Sequence, residues 1–363
     1  MHKFFTLVIL SAALTCKAAG PDSLDIKIGQ MIMVGISDRT SLTENDALAQ
    51  ELKDYKIGGV VLFEKNIAKT DSRAQMIKLT SDLQKNSSVP LLITIDEEGG
   101  KVHRLKEKYG FVGMPSAAYL GKLDNADSTL YYNRRLASEL NELGINFNYA
   151  PCLDLAVNPD NNVIVKRERS FSDQPGIVSK HASLCIKAHH ENNVKTILKH
   201  FPGHGSSTDD SHVGIVDVTN SWNFSELFPY HSIILSGNYD AIMTAHIINK
   251  NWDTTLLPAT LSGNAINGTL RGLLGYKGVV FSDDMQMHAI SKNYGFEKAI
   301  ELAVNAGVDI LMFGTNVDPK EKPVTATEVH SILKRLVSEN KISKDRINLA
   351  YKRITALKNK KVK

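Results

Sequence analysis

The sequence predicts an α/β protein built as a single (β/α)8 barrel. Three observations carry this: eight short apolar runs, helical spacing between them, and unusual polar residues gathered where the runs end. The runs are Ile28–Val34, Gly59–Phe63, Leu91–Ile95, Ile145–Ala150, Thr196–Lys199, Ala241–Ala245, Gly278–Phe281 and Ile310–Phe313. They are rich in β-branched residues and do not alternate apolar with polar, as expected of strands buried on both faces of a parallel sheet. In Ser262–Leu274, Ile266, Leu270 and Leu273 fall on one helical face, and Gly275 is placed to end the helix. Lys322–Leu357 reads as a last long helical region. An open doubly wound sheet is the rival architecture. It usually carries a Gly-rich phosphate turn after its first strand, and no Gly-x-Gly-x-x-Gly follows Ile28–Val34. With no Pro-, Gly- or Ser-rich linker, internal repeat or low-complexity segment, residues 21–363 read as one domain.

The composition fits that class. Of 363 residues, 42% are hydrophobic and 23% charged, which excludes collagen-like, coiled-coil, disulfide-scaffold and broadly disordered chains. Lys and Arg number 43 against 39 Asp and Glu, and the net +4 is spread along the chain. The basic cluster Lys358, Lys360, Lys361 and Lys363 sits at the end, so no nucleic-acid partner is expected. A monomer is expected. Residues 1–20 have the layout of an export signal: basic His2 and Lys3, an apolar run Phe4–Thr15, then small residues. The run is too short to span a membrane. The mature protein is therefore expected to be exported, periplasmic or secreted. Cys16 stands where a bacterial lipoprotein would be acylated, although Thr15 is larger than the residue usual before such a Cys; membrane contact is expected only if Cys16 is lipidated. Cys152 and Cys185 are expected to be unpaired, buried thiols.

Barrels of this class do their chemistry at the C-terminal ends of the strands, where the following loops converge. The third run ends in Asp96-Glu97-Glu98-Gly99-Gly100 and is followed by Arg104. The fourth leads to Pro151 and Asp154, and its loop carries Arg167, Glu168 and Arg169. The fifth enters Lys199-His200-Phe201-Pro202-Gly203-His204-Gly205 and then Asp209-Asp210-Ser211-His212. The sixth ends at His246 and the seventh at Ser282-Asp283-Asp284-Met285. Singly, each has a plain structural explanation. Asp284 can cap a helix, and His246 can be a satisfied core histidine. Together, acids, bases and arginines at five consecutive strand ends face one pocket.

Several chemistries fit this set unequally. No Cys cluster or His-Glu-x-x-His supports a zinc site, although His200, His204, Asp210, His212 and His246 leave a metal-dependent barrel hydrolase as an alternative. No Gly-x-Ser-x-Gly elbow marks a serine hydrolase. A carboxylate, Asp283, and an Asp-x-His pair on a neighbouring loop suit a double displacement. The carboxylate attacks an electrophilic carbon while the imidazole gives and then takes a proton.

Lys199-His-Phe-Pro-Gly-His-Gly205 followed by Asp210-Ser211-His212 resembles the signature of the β-N-acetylglucosaminidase branch of glycoside hydrolase family 3. Asp96–Gly100 with Arg104, Glu168-Arg169-Ser170 and Ser282–Met285 resemble that branch's other blocks, in the same order. The resemblance implies a retaining exo-β-N-acetylglucosaminidase on a (β/α)8 barrel, acting on small carbohydrate N-acetylglucosaminides and needing no cofactor or metal. It implies Asp283 as nucleophile, His212 as general acid/base and Asp210 as the partner that orients it. It implies Asp96, Arg104, Arg169, Lys199 and His200 as ligands of the sugar in the −1 subsite. Other branches add a sandwich domain bearing a Glu acid/base; the chain read here leaves no room for one, in keeping with the His-based variant. Relatives often carry His or Gln where Glu97 stands, which should matter little if that side chain points away from the sugar. An export signal also departs from the cytoplasmic relatives and leaves peptidoglycan fragments, chitin oligosaccharides and host glycans open as substrates. A non-catalytic exported sugar-binding protein is a further alternative, disfavoured because both Asp283 and His212 are present.

Overall fold

The structure, a computed structural model, describes residues 23–211, 214–316 and 323–361. The export segment with Cys16 and the acid/base candidate His212 lie outside the described residues. Ten strands are numbered in chain order: β1 (Ile32–Gly35), β2 (Gly59–Leu62), β3 (Leu92–Ile95), β4 (Phe147–Asn148), β5 (Lys195–Phe201), β6 (Val216–Asp217), β7 (Ala241–Thr244), β8 (Ile247–Ile248), β9 (Val279–Asp284) and β10 (Ile310–Phe313). Eight of them close a parallel barrel in the order β1-β10-β9-β7-β5-β4-β3-β2. These are the eight predicted runs, so the single barrel stands and the open sheet does not.

The differences in detail have physical reasons. The first run begins too early. Residues Ser23–Gln30 form a helix and β1 starts only at Ile32, because Ile28 is buried as part of a helical face instead of a strand. The segment Asn264–Leu273 winds as a π-helix, wider than the α-helix that the spacing suggested. In that wider turn Ile266 and Leu270 stay buried while Leu273 swings out to 67% exposure. The final region is two helices, Ala326–Ser338 and Lys344–Asn359, each opened by a hydroxyl cap from Thr325 or Ser343. Strands β6 and β8 form a small two-stranded sheet that the apolar runs did not reveal.

Inside the barrel, Met33 meets the Thr94 hydroxyl and the Tyr149 hydroxyl, and the Tyr149 ring packs edge-on against Phe281. Side chains therefore fill the interior, and the open space lies above them at the mouth. The ladder slips in register at two places: between β5 and β7 from Leu198 to Phe201, and between β9 and β10 from Ile310 to Met312. Both slips fall where β5 and β9 deliver their polar residues. Irregular pairing of this kind re-aims side chains at a strand end. Cys152 and Cys185 are free and buried, as expected. Among the described residues no helix is long and apolar enough to cross a membrane.

Candidate active site

The mouth holds a cavity of about 330 Å³, within the roughly 300–1,000 Å³ common for ligand sites. Every predicted site residue in the described chain lines it: Asp96, Arg104, Arg169, Lys199, His200, Asp210 and Asp283. They come from the ends of β3, β5 and β9 and from the loops after β3, β4 and β5. The longer run of β5 carries Lys199 and His200 within the strand itself, and β9 likewise carries Asp283 and Asp284. The peptide bonds Ala150–Pro151, Lys199–His200 and Phe201–Pro202 are cis.

One wall is a chain of ion pairs. Arg104 donates to Asp96 Oδ2 at 2.9 Å, and the Lys199 ammonium pairs with Asp96 and, at 2.6 Å, with Glu98. Arg169 grips the Glu98 carboxylate through Nε and Nη2, at 2.9 and 2.7 Å. Lys199 is 2% exposed and Glu98 5%, so these charges are held in a site that water barely reaches. Burial alone would raise the Asp96 carboxyl, but Lys199, Arg104 and Arg169 outweigh it and hold it below its ordinary range. For Lys199 burial works downward, and Asp96 with Glu98 reverses it, so the ammonium stays charged. Structural pairing and substrate binding are the two uses open to these cations. The geometry lets both hold, because the paired side chains still line the cavity.

His200 is placed differently from a simple sugar ligand. Its Nδ1 bonds Asp154 at 2.7 Å and its Nε2 faces Arg169 Nη2 at 3.2 Å. The buried Asp154 therefore fixes the ring, with Nδ1 carrying the proton and Nε2 accepting from the guanidinium. His200 meets the cavity by its ring edge and steadies Arg169. Asp154 also accepts the amides of His200 and His204. Burial tends to raise its carboxyl, and His200 leads the groups that pull it below the ordinary range.

Glu97 points away from the cavity. Its carboxylate bonds His103 and accepts the amides of Arg104 and Leu105 at 2.8 and 2.9 Å, so it shapes the loop that presents Arg104. The two glycines that follow Glu98 both have positive φ, and a Cβ on Gly99 would lie 2.5 Å from the Pro115 carbonyl.

The adjacent aspartates of β9 have distinct settings. Asp284 is buried, and its Oδ1 accepts the amides of Gln286 and Gly314 at 3.0 and 3.1 Å; it does not cap the next helix, His288–Tyr294, whose N-cap position is Met287, but braces the turn after β9 against the loop after β10. Asp283 is half-buried; its Oδ1 accepts the amide of Asp284 at 2.8 Å. His246 bonds Thr260 through Nδ1 and the Asp284 carbonyl through Nε2, the arrangement of a satisfied core histidine. Of the residues weighed for a metal, His246 and His204 are thus engaged elsewhere, His204 with Ser207. Among the described residues the group close enough to share an ion is Cys152, Asp154 and His200, whose ligand atoms are already bonded to one another.

The family model of the glycosyl hydrolase family 3 N-terminal domain matches residues 23–357. The chain belongs to this family. A β-hexosaminidase A of Pseudoalteromonas piscicida is 34% identical over 336 residues, covering 86% of this chain and 55% of that protein. A β-hexosaminidase of Xylella fastidiosa strain M23 is 34% identical over 291 residues, covering 78% of this chain and 82% of its own. Among solved structures, a glycoside hydrolase family 3 β-N-acetylglucosaminidase from Paenibacillus sp. str. FPU-7 superposes with TM-score 0.83 at 35% identity, over 93% of this chain and 62% of that one. The chain thus spans little more than half the length of the first relative and under two thirds of that structure. Within the family frame, Glu98 and Asp154 are site residues that the sequence placed at strand ends but gave no role. Their neighbours in the motifs were the available signal, but only the fold shows which cations they hold.

Proposed function

We propose that this family 3 protein is a retaining exo-β-N-acetylglucosaminidase, with Asp283 as nucleophile and His212, oriented by Asp210, as acid/base. The observation that carries this is the convergence of Asp283 and Asp210 on the cavity walled by Asp96, Arg104, Lys199 and Arg169. The names of the relatives agree in substrate class. Asp283 is the better nucleophile of the pair, since Asp284 is spent on two backbone amides. Hydrolysis runs in two displacements. In the first, an Asp283 oxygen forms a bond to the anomeric carbon as the bond to the leaving oxygen breaks, and that oxygen takes the proton from the His212 imidazolium. In the second, water attacks the anomeric carbon, His212 removes its proton and the ester to Asp283 is released. Retaining enzymes usually place a second carboxyl about 5–5.5 Å from the nucleophile; here the His–Asp pair takes that place, and the Asp210 charge stabilises the imidazolium. No step requires a metal. Export through residues 1–20, with or without a lipid on Cys16, would direct the activity to peptidoglycan fragments or chitooligosaccharides.

The test is covalent trapping. A fluorinated N-acetylglucosaminide that slows the second step should label the Phe281–Met285 peptide at Asp283, and Asp283→Ala should lose turnover by several orders of magnitude. Labelling at Asp284, or a near-normal rate in the variant, would overturn the assignment. His212→Ala should lose far more activity on a disaccharide than on an activated aryl glycoside, and azide should rescue it as the β-glycosyl azide.

A further inference from the structure

Beneath the turn at Gly203–Ser206 lies a carboxyl group that the double displacement does not use. Glu226 sits in the short 3-10 turn Phe224–Leu227 and is fully buried. Its Oε2 accepts the amide of Gly205 at 2.8 Å. From the other side, Asp154 Oδ1 accepts the amide of His204, also at 2.8 Å. Two carboxyl groups therefore hold consecutive peptide N–H groups of one turn. The fit leaves no slack. Gly203 has φ +120, and a Cβ on it would lie 2.6 Å from the Glu226 Cβ; a Cβ on Gly205 would lie 2.0 Å from the Leu155 carbonyl oxygen. The chain leaving this turn runs directly to Asp210 at the cavity and on to His212.

We propose that Glu226 is a positioning residue for the loop carrying Asp210 and His212, holding its first turn from below so that the proton-transfer pair meets the cavity. The inference rests on His212 being the acid/base. Interior packing alone would not require a carboxyl group here, since the cost of burying it is offset only by what it binds, and it binds backbone of this turn. The titratable groups that act on it are Asp154 and Tyr230, neither of them a cation. Burial accordingly raises the Glu226 carboxyl to about 7, with Asp154 adding to the rise and the Ser206 hydroxyl and Gly205 amide opposing it. Below that pH the turn is held by a neutral acid. As pH rises towards that value the hold weakens, because opening the turn lets the acid ionise in water, and above it two like charges face each other across the turn with the loss complete.

The experiment compares Glu226→Gln, Glu226→Ala and His212→Ala on N,N′-diacetylchitobiose and on an activated aryl N-acetyl-β-glucosaminide, with amide hydrogen exchange followed over residues 203–211. A misplaced acid costs on the order of 100-fold in kcat. Glu226→Ala should show a loss of that order on the disaccharide, a smaller one on the aryl glycoside and little change in KM. Its Gly205 amide should exchange faster while the barrel strands keep their protection. Glu226→Gln, which retains an acceptor and never ionises, should restore activity and protection, and should protect the turn better than wild type above pH 7. Equal losses on both substrates, a change in KM alone, or failure of Gln to restore the turn would overturn the positioning role. Should Glu226→Ala not fold, the Gln variant decides: at pH 6, faster exchange of the Gly205 amide than in wild type, or a loss of disaccharide turnover, would overturn it. The two readings separate through His212→Ala. If that variant loses equally on both substrates, the acid/base assignment falls and the inference with it. If it behaves as an acid/base variant while Glu226→Ala resembles wild type, only the inference falls.

Discussion

Glu98 carries much of the mouth's chemistry without being a reacting group. Its carboxylate is the shared counter-charge of Lys199 and Arg169, and without it two buried cations would repel across the cavity wall. Hydrogen bonds to charged groups contribute about 1.5–3 kcal/mol, so Glu98→Gln should lower kcat/KM by roughly 10- to 100-fold while leaving the fold intact. A kinetic assay beside a thermal melt checks this, and a kcat/KM within about twofold of wild type would show that the cations need no such partner. Glu226 gives a second test, of stability against pH. Its carboxyl ionises near the ordinary 4.5 in the unfolded chain and at about 7 in the folded one. Between those values the unfolded chain binds fewer protons, so rising pH drains native stability, by about 3 kcal/mol across the window. Glu226→Gln removes that loss. Its melting temperature relative to wild type should climb from pH 4.5 to pH 7 and stay level above, whereas a constant difference would mean that Glu226 is ionised in the fold throughout.

The elements at the foot of the barrel depend on a different charge cluster. Asp309 opens β10 and is fully buried, accepting the Val280 amide and pairing with Arg271 of the π-helix and Arg346 of the last helix at 2.8 Å. Arg353 joins at 3.2 Å. One carboxylate thus ties β9, β10 and two surrounding helices together. Removing one side of a buried pair leaves the other uncompensated and costs about 3–5 kcal/mol. Asp309→Ala should lose stability of that order in denaturant unfolding, whereas Arg353→Ala, whose partner keeps two other guanidiniums, should cost about 1 kcal/mol or less. Equal effects would deny the hub role. The elements themselves were largely legible beforehand. Buried parallel strands announce themselves as unbroken apolar runs, and β10 begins and ends where its run does. The misjudged pieces share a cause. Ile28 is equally apolar in a helix or a strand, and the i, i+4 spacing of Ile266 and Leu270 fits an α-turn and a π-turn alike.

The protein divides its labour along the barrel axis, and the sequence disclosed the two ends unequally. At the mouth the polar residues at strand ends marked the site jointly, because acids, bases and arginines at five consecutive strand ends have no common structural explanation. Glu98 and Asp154 were visible at strand ends without a role, and Glu226 not at all, because their importance lies in which partners the fold brings to them across long stretches of chain. At the foot, nothing in the sequence ties Asp309 to Arg271, Arg346 and Arg353, which only the fold brings together. This separation makes a prediction about coupling. Glu98 follows the C-terminal end of β3, and Asp309 precedes the N-terminal end of β10, so a strand of four residues, roughly 13 Å, stands between the two levels. Sites that far apart with no shared partner add to within about 0.5 kcal/mol. The double variant Glu98→Gln/Asp309→Asn should therefore show the stability loss of the Asp309 change alone plus whatever small loss the Glu98 change causes. Its kcat/KM, measured well below the melting temperature, should equal that of Glu98→Gln. A double-mutant cycle checks both quantities. Coupling well above about 0.5 kcal/mol in either would mean that the foot's charge cluster strains the mouth through the strands, and that function and stability in this barrel are not held at separate ends.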